Sequence, residues 1–162
     1  MEVQFLESVI NELCTLLTRK RELAQQWAQN TEAMFFAPSE RLEEYIAQRD
    51  EMLRVLGEID ERMSALCAGR TDISAALDGT RDGRNLSPAL KAVHACALEA
   101  QASANAAMRG EWAVRQRLEG ERKALLEKIT AAQTTGAAAR QYHRAARMAT
   151  GVMRPAEEHK TI

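Results

Sequence analysis

Cys14, Cys67 and Cys96, together with His94, His143 and His159, are the side chains of this sequence that could hold a metal or cycle between thiol and disulfide. Neither set has ligand spacing. There is no CxxC pair, and no histidine stands at a ligand interval from another histidine or from a cysteine. An odd, scattered set of cysteines fits reduced thiols better than a disulfide framework. The acidic pairs Glu43/Glu44, Asp60/Glu61 and Glu157/Glu158 are the carboxylates that acid–base chemistry would need. Adjacent residues of a helix do not face one another, so these pairs read as surface charge. The segment Gly79-Thr80-Arg81-Asp82-Gly83-Arg84 lacks the GxxxxGK[ST] spacing of a phosphate loop and follows no strand. No GxSxG, HExxH or dinucleotide fingerprint occurs. The chain is therefore read as non-catalytic, with no metal and no cofactor.

The elements that carry these residues are helices. The chain has 162 residues, 46% hydrophobic and only 4% aromatic, with 8 Gly and 3 Pro. So few turn-forming and aromatic residues argue against a sandwich or barrel, and abundant Ala, Leu, Glu, Arg and Gln favour helix. The 22 basic and 23 acidic residues are interspersed and nearly cancel, which suits a solvated helix surface better than a nucleic-acid interface. From Gln133 onward the balance turns basic, with Arg140, Arg144, Arg147, Arg154 and Lys160 against Glu157 and Glu158. The first residues show no basic signal-peptide region, and no run approaches the ~18 apolar residues of a membrane span. A cytoplasmic location without membrane insertion is expected.

Periodicity gives three long helices. The first runs from about Val3 to Met34, with a seam of Leu6, Leu13, Lys20, Trp27 and Met34. Ala37-Pro38 breaks it. The second starts with Ser39 as N-cap and runs to about Ala68. Its seams are Leu42, Arg49, Leu56, Met63 and Tyr45, Met52, Ile59, Leu66, the cleanest heptad of the chain. Gly69 follows as a C′ glycine. So short a break implies an antiparallel hairpin. A loop over 69–86 holds one short turn, Asp72 to Leu77. The third helix starts at Ser87-Pro88 and extends to about Ala132. Its front seam is small (Leu90, Val93, Ala97, Ala100, Ala104, Ala107) and its rear is large (Trp112, Val114, Leu118, Leu125, Leu126, Ile129). The expected architecture is an all-α, coiled-coil-like three- or four-helix bundle over 1–132 and a mobile, conditionally helical tail over 133–162.

Two points stay open at this level. Lys20 and Arg49 fall on apolar seams, either with stems packed and heads reaching water or as polar contacts that set register. The third helix either continues through Gly110 and Gly120 or kinks there and folds back as a fourth helix. If continuous it is roughly 70 Å long and outruns the hairpin by about 20 Å, leaving its large apolar residues bare. Cover could come from a second subunit, the tail, or a partner's amphipathic helix.

The layout resembles the FlgN/FliT-type flagellar export chaperones. The resemblance rests on the first-helix stretch Phe5-Leu6-Glu7-Ser8-Val9-Ile10-Asn11-Glu12-Leu13, the second-helix stretch Leu42 to Leu53 continuing to Ile59-Asp60-Glu61, and a long third helix followed by Arg140-Gln141-Tyr142-His143-Arg144. It implies a binding protein that holds the C-terminal helices of a hook-associated or filament subunit and delivers them to an export-gate protein. By carry-over the client-binding stripe is Val114, Leu118, Leu125 and Ile129, and Tyr142 matches the tyrosine that contacts the gate. Read from its surroundings alone, Tyr142 is equally an ordinary half-exposed aromatic. The rival from another class is a structural coiled-coil protein that homodimerises through the third helix. A nucleic-acid role for the basic tail lacks interleaved aromatics.

Overall fold

The computed structural model describes residues 1–79 and 82–152. Every regular element among them is helical: α1 Glu2–Phe36, α2 Leu42–Cys67, α3 Thr71–Leu77 and α4 Pro88–Val152, with 3-10 turns at Ser39–Arg41 and Gly83–Asn85. The chain divides after Arg117 into two compact units. The first holds α1, α2, α3 and the front of α4. The second, from Leu118, is the rear of α4 as far as the described residues reach.

In the first unit α2 runs antiparallel to α1, as the short connection requires. Lys20 meets Asp60 at 2.9 Å near one end of the pair, and Asn30 Nδ2 donates to the Tyr45 carbonyl at 3.1 Å near the other. The front of α4 runs parallel to α1, since Arg21 pairs with Glu99 and Trp27 with Glu111. The core sits where the helices meet α3: Val9, Ile10, Leu13 and Leu17 of α1, Ile73 and Ala76 of α3, and Val93, Ala97 and Ala100 of α4. Leu13, Ile73, Ala76 and Val93 are fully buried. His94 Nδ1 lies 2.9 Å from the Ala76 carbonyl and ties α3 to α4.

The helix ends show why the chain turns where it does. Ala37 is extended ahead of Pro38, which ends α1. No basic residue stands in the last turn of α1, and Arg117 of α4 supplies the missing charge by donating to the carbonyls of Met34, Phe35 and Ala37. Ser39 is not the N-cap of α2. A 3-10 turn set by the Pro38 backbone intervenes, with Arg41 N donating to the Pro38 carbonyl at 3.0 Å, and α2 begins at Leu42. Gly69 has φ +72°, the left-handed C′ conformation that glycine adopts without steric cost. Ser87 precedes Pro88 at the start of α4, and the Leu90 amide approaches its hydroxyl at 3.4 Å.

α4 is a single helix of 65 residues, continuous through Gly110 and Gly120. It does not fold back as a fourth long helix. It also does not end near Ala132. It passes Thr134-Thr135-Gly136 because the flanking Ala, Gln and Arg residues are strong helix formers and one glycine costs only about 1 kcal/mol. The part of the expected tail from residue 153 onward lies outside the described residues.

Gly110 has a packing role. A Cβ at this position would stand 2.8 Å from Thr31 Cγ2 of α1. Thr31 cannot swing away, because its hydroxyl lies 2.9 Å from the Trp27 carbonyl and accepts from Arg49 Nη2 at 2.6 Å. Gly110→Ala is expected to destabilise the bundle by about 1–3 kcal/mol through overpacking. Gly120→Ala, with nothing within 4 Å of its added Cβ, should stabilise or leave unchanged. Thermal melts of the two variants check this, and equal shifts would contradict it.

Candidate functional site

Arg49 and Glu111 form the most built polar group of the described residues. Both reach the interior because both occupy seam positions. Glu111 follows Ala100, Ala104 and Ala107 in alternating steps of four and three, and Val114 comes next. The two side chains are only 11% and 12% exposed and meet at 2.9 Å. Arg49 Nε also donates to Asn30 Oδ1 at 2.7 Å, and its guanidinium lies 4.5 Å from the Trp27 ring centre. Trp27 Nε1 donates to Glu111 Oε1 at 2.6 Å, and the Thr31 hydroxyl lies 3.2 Å from the same oxygen. Three helices are thereby joined in one register. Arg49 is thus a register-setting contact, whereas Lys20 reaches out to the exposed Asp60.

The Glu111 carboxyl is pulled two ways. Burial raises its pKa, while hydrogen bonds from Arg49 and Trp27, the Arg49 charge and Thr31 lower it more, so it stays below the ordinary glutamate value of 4.5. A carboxylate with a depressed folded-state pKa contributes stability that is complete above the unfolded pKa. That stability is lost as pH falls through the folded value. The thermal midpoint is therefore expected to fall on acidification below about pH 4.5, and to fall less steeply in Glu111→Gln. Parallel acid profiles of the two proteins would contradict this.

Beside this network lies an apolar groove of about 370 Å³, bordered by Leu23 and Trp27 of α1, Met52 and Leu56 of α2, and Ala100 and Ala104 of α4. It exists because α4 presents methyl groups here, too small to fill the space that the α2 side chains leave. Among the described residues Lys20 and Gln101 are its charged and amide lining. The methionines Met52, Met63 and Met108 give it adaptable walls. The sequence reading did not single out this groove. Its signal was the row of alanines on one seam opposite Met and Leu on another.

The second unit is, as far as it is described, a continuous stretch of helix. Every residue from Arg122 to Met148 except Gly136 is exposed. Leu125, Leu126 and Ile129 keep 59%, 52% and 45% of their surface in water. Leu118 is half-buried and shares their face by spacing. Tyr142 is exposed, with its ring edge-on to His143. Val114, assigned to the same stripe by sequence, belongs elsewhere. It is 1% exposed in the interior of the first unit and cannot meet a partner. The reason is position along the helix and not phase: Val114 lies level with the last turn of α1, where Arg117 reaches the Met34 and Phe35 carbonyls, and continues the Ala100–Glu111 seam that packs on α1.

The cysteines are half-buried thiols, and among the described residues no three of His, Cys, Asp and Glu cluster to hold a metal. No described helix is long and apolar enough to cross a membrane. Comparison with known proteins supplies no relative: no family model matches the chain, and neither a curated protein nor a solved structure matches it.

Proposed function

We propose that the protein is a flagellar, type III export chaperone acting in the cytoplasm. It binds the amphipathic C-terminal helix of a hook-associated or filament-type subunit and hands it to an export-gate protein. One observation carries the helix-binding part: the rear of α4 stays helical while Leu125, Leu126 and Ile129 stand exposed. A row of this kind covers itself by pairing with another helix at i, i+4 and i+7 anchors. Glu119, Glu121, Arg122, Lys123, Glu127 and Lys128 surround it with both signs of charge, as the polar rim of an interface does. The flagellar part comes from the resemblance of the helix-1, helix-2 and Tyr142 segments. Tyr142, exposed on the same helix, is available for the gate contact.

The test is calorimetric titration of the full chain with a synthetic C-terminal helix of a hook-associated subunit. Saturable binding with a negative heat-capacity change supports the reading, since that change marks apolar burial. Absence of binding, together with a stable homodimer that dissociates when Leu125 is made polar, would replace it by the coiled-coil reading.

A further inference from the structure

We propose that the apolar groove of the first unit binds a free long-chain carboxylic acid, with the carboxylate on Lys20 and the hydrocarbon chain running toward Trp27. All residues of the groove precede Leu118, so the inference does not rest on the rear of α4. A volume of about 370 Å³ lies within the usual range of small-molecule sites, roughly 300–1,000 Å³. Three helices wall the groove. α4 cannot fill it, because Ala97, Ala100 and Ala104 offer only methyl groups.

Charge selects the head group. Lys20 is the one charged side chain of the lining among the described residues. A single cation in an apolar trough matches an apolar body with a single anionic head. Lys20 Nζ donates to Asp60 Oδ1 at 2.9 Å, but the two side chains are 31% and 54% exposed. Water screens such a pair, so an incoming carboxylate competes with Asp60 for the ammonium. Arg21, the next residue of α1, pairs with Glu99, which sets Gln101 of α4 near the level of Lys20. Gln101 Nε2 donates to Asn105 Oδ1 at 3.0 Å and has a second amide hydrogen for the head group.

Size selects the body. From Leu17 to Trp27 the α1 wall is about 15 Å long at the helical rise, and the part beyond Lys20 is about 10 Å. A 15 Å length of α-helix, about 10 Å across, fills roughly 1,200 Å³. A helix therefore lies over this groove and does not enter it, whereas a single hydrocarbon chain does. Leu23 and Leu56 line the run, and Met52 and Met108 border its far part with side chains that adapt to chain ends of different length.

The experiment titrates the full chain with sodium dodecanoate below its micelle threshold. The chain carries Trp112→Phe at an exposed position, which leaves Trp27 as the reporting tryptophan. Trp27 emission should change and saturate at one dodecanoate per chain. From hexanoate to decanoate the affinity should rise about fourfold per added CH₂, the equivalent of about 0.8 kcal/mol, and level off once the chain outruns the groove. Lys20→Met should weaken dodecanoate binding about tenfold and erase the preference for it over dodecyltrimethylammonium. Asp60→Asn, which removes the competing carboxylate, should tighten it. Ala104→Leu, which fills the trough, should abolish it with the helical circular dichroism intact. Titration without saturation, equal affinity of the parent for the anionic and cationic amphiphiles, or unchanged binding by a folded Ala104→Leu variant would overturn the proposal. So would a homodimer that excludes dodecanoate and dissociates in Leu53→Asp, because a second copy would then occupy the groove.

Discussion

Glu111→Ala is expected to destabilise the bundle by about 3–5 kcal/mol, because it strands the Arg49 guanidinium in the interior without its counter-charge. Arg49 keeps Asn30, Thr31 and the Trp27 face, but none of these carries a negative charge. At this chain length the loss lowers the thermal midpoint by roughly 6–20 °C. Trp27 Nε1 also loses its acceptor, so the tryptophan fluorescence of the folded state should change. Removing both charges is a different matter. Arg49→Met with Glu111→Leu should recover most of the loss, since a buried pair replaced by packed apolar groups is often neutral or better. Arg54→Ala is the control. Arg54 binds Glu51 and Glu58 on the exposed face of α2, where water and salt screen the contact. Its midpoint should not move. A Glu111→Ala midpoint equal to that of the parent would show that the three helices do not depend on this network.

The second large effect is on binding. Leu125→Asp with Ile129→Asp is expected to lower client-helix affinity by at least about 100-fold. Two anchors worth about 1.5 kcal/mol each are replaced by charge, and each 1.4 kcal/mol is tenfold. The stability of the first unit should stay within about 0.5 kcal/mol of the parent, because both side chains already stand largely in water. A Val114→Asp variant behaves in the opposite way. Its side chain is 1% exposed, so the substitution unfolds the bundle and says nothing of an interface. The two variants together separate a surface for partners from a surface for the protein's own core. Equal binding by the parent and the Leu125/Ile129 variant would remove the stripe from any account of function.

Helical periodicity carried most of this fold. The α1 seam, the α2 heptads, the Gly69 stop and the Ser87-Pro88 start all follow from spacing and local chemistry, and the structure has them within a few residues. The ends of α4 and α2 were less legible. Helix termination at Thr134-Thr135-Gly136 depends on a small sum of propensities with no packing to decide it, and a 3-10 turn differs from an α-helical first turn by one hydrogen bond. The site was half legible. Leu125 and Ile129 follow from amphipathicity, but whether a seam residue faces α1 or solvent depends on where α1 ends. Val114 lies level with the last turn of α1 and is buried, whereas Leu125 belongs to the second unit and is exposed. Arg49 stood out as a charge on a seam, whereas Glu111 did not, because an acid among alanines looks like surface until its partner is placed. From its sequence alone Gly110 is a candidate kink. Its need comes from Thr31, 79 positions away, and no local signal carries that.

We propose above all that the rear of α4 is a surface for another helix. The most direct measurement is hydrogen exchange of the full chain, alone and with a saturating amphipathic C-terminal helix of a hook-associated subunit. Slowed exchange is expected at amides around Leu118 to Ile129, with the amides of α1 and α2 unchanged. Exchange that is unaltered over Leu118 to Ile129 while the peptide is bound would contradict it.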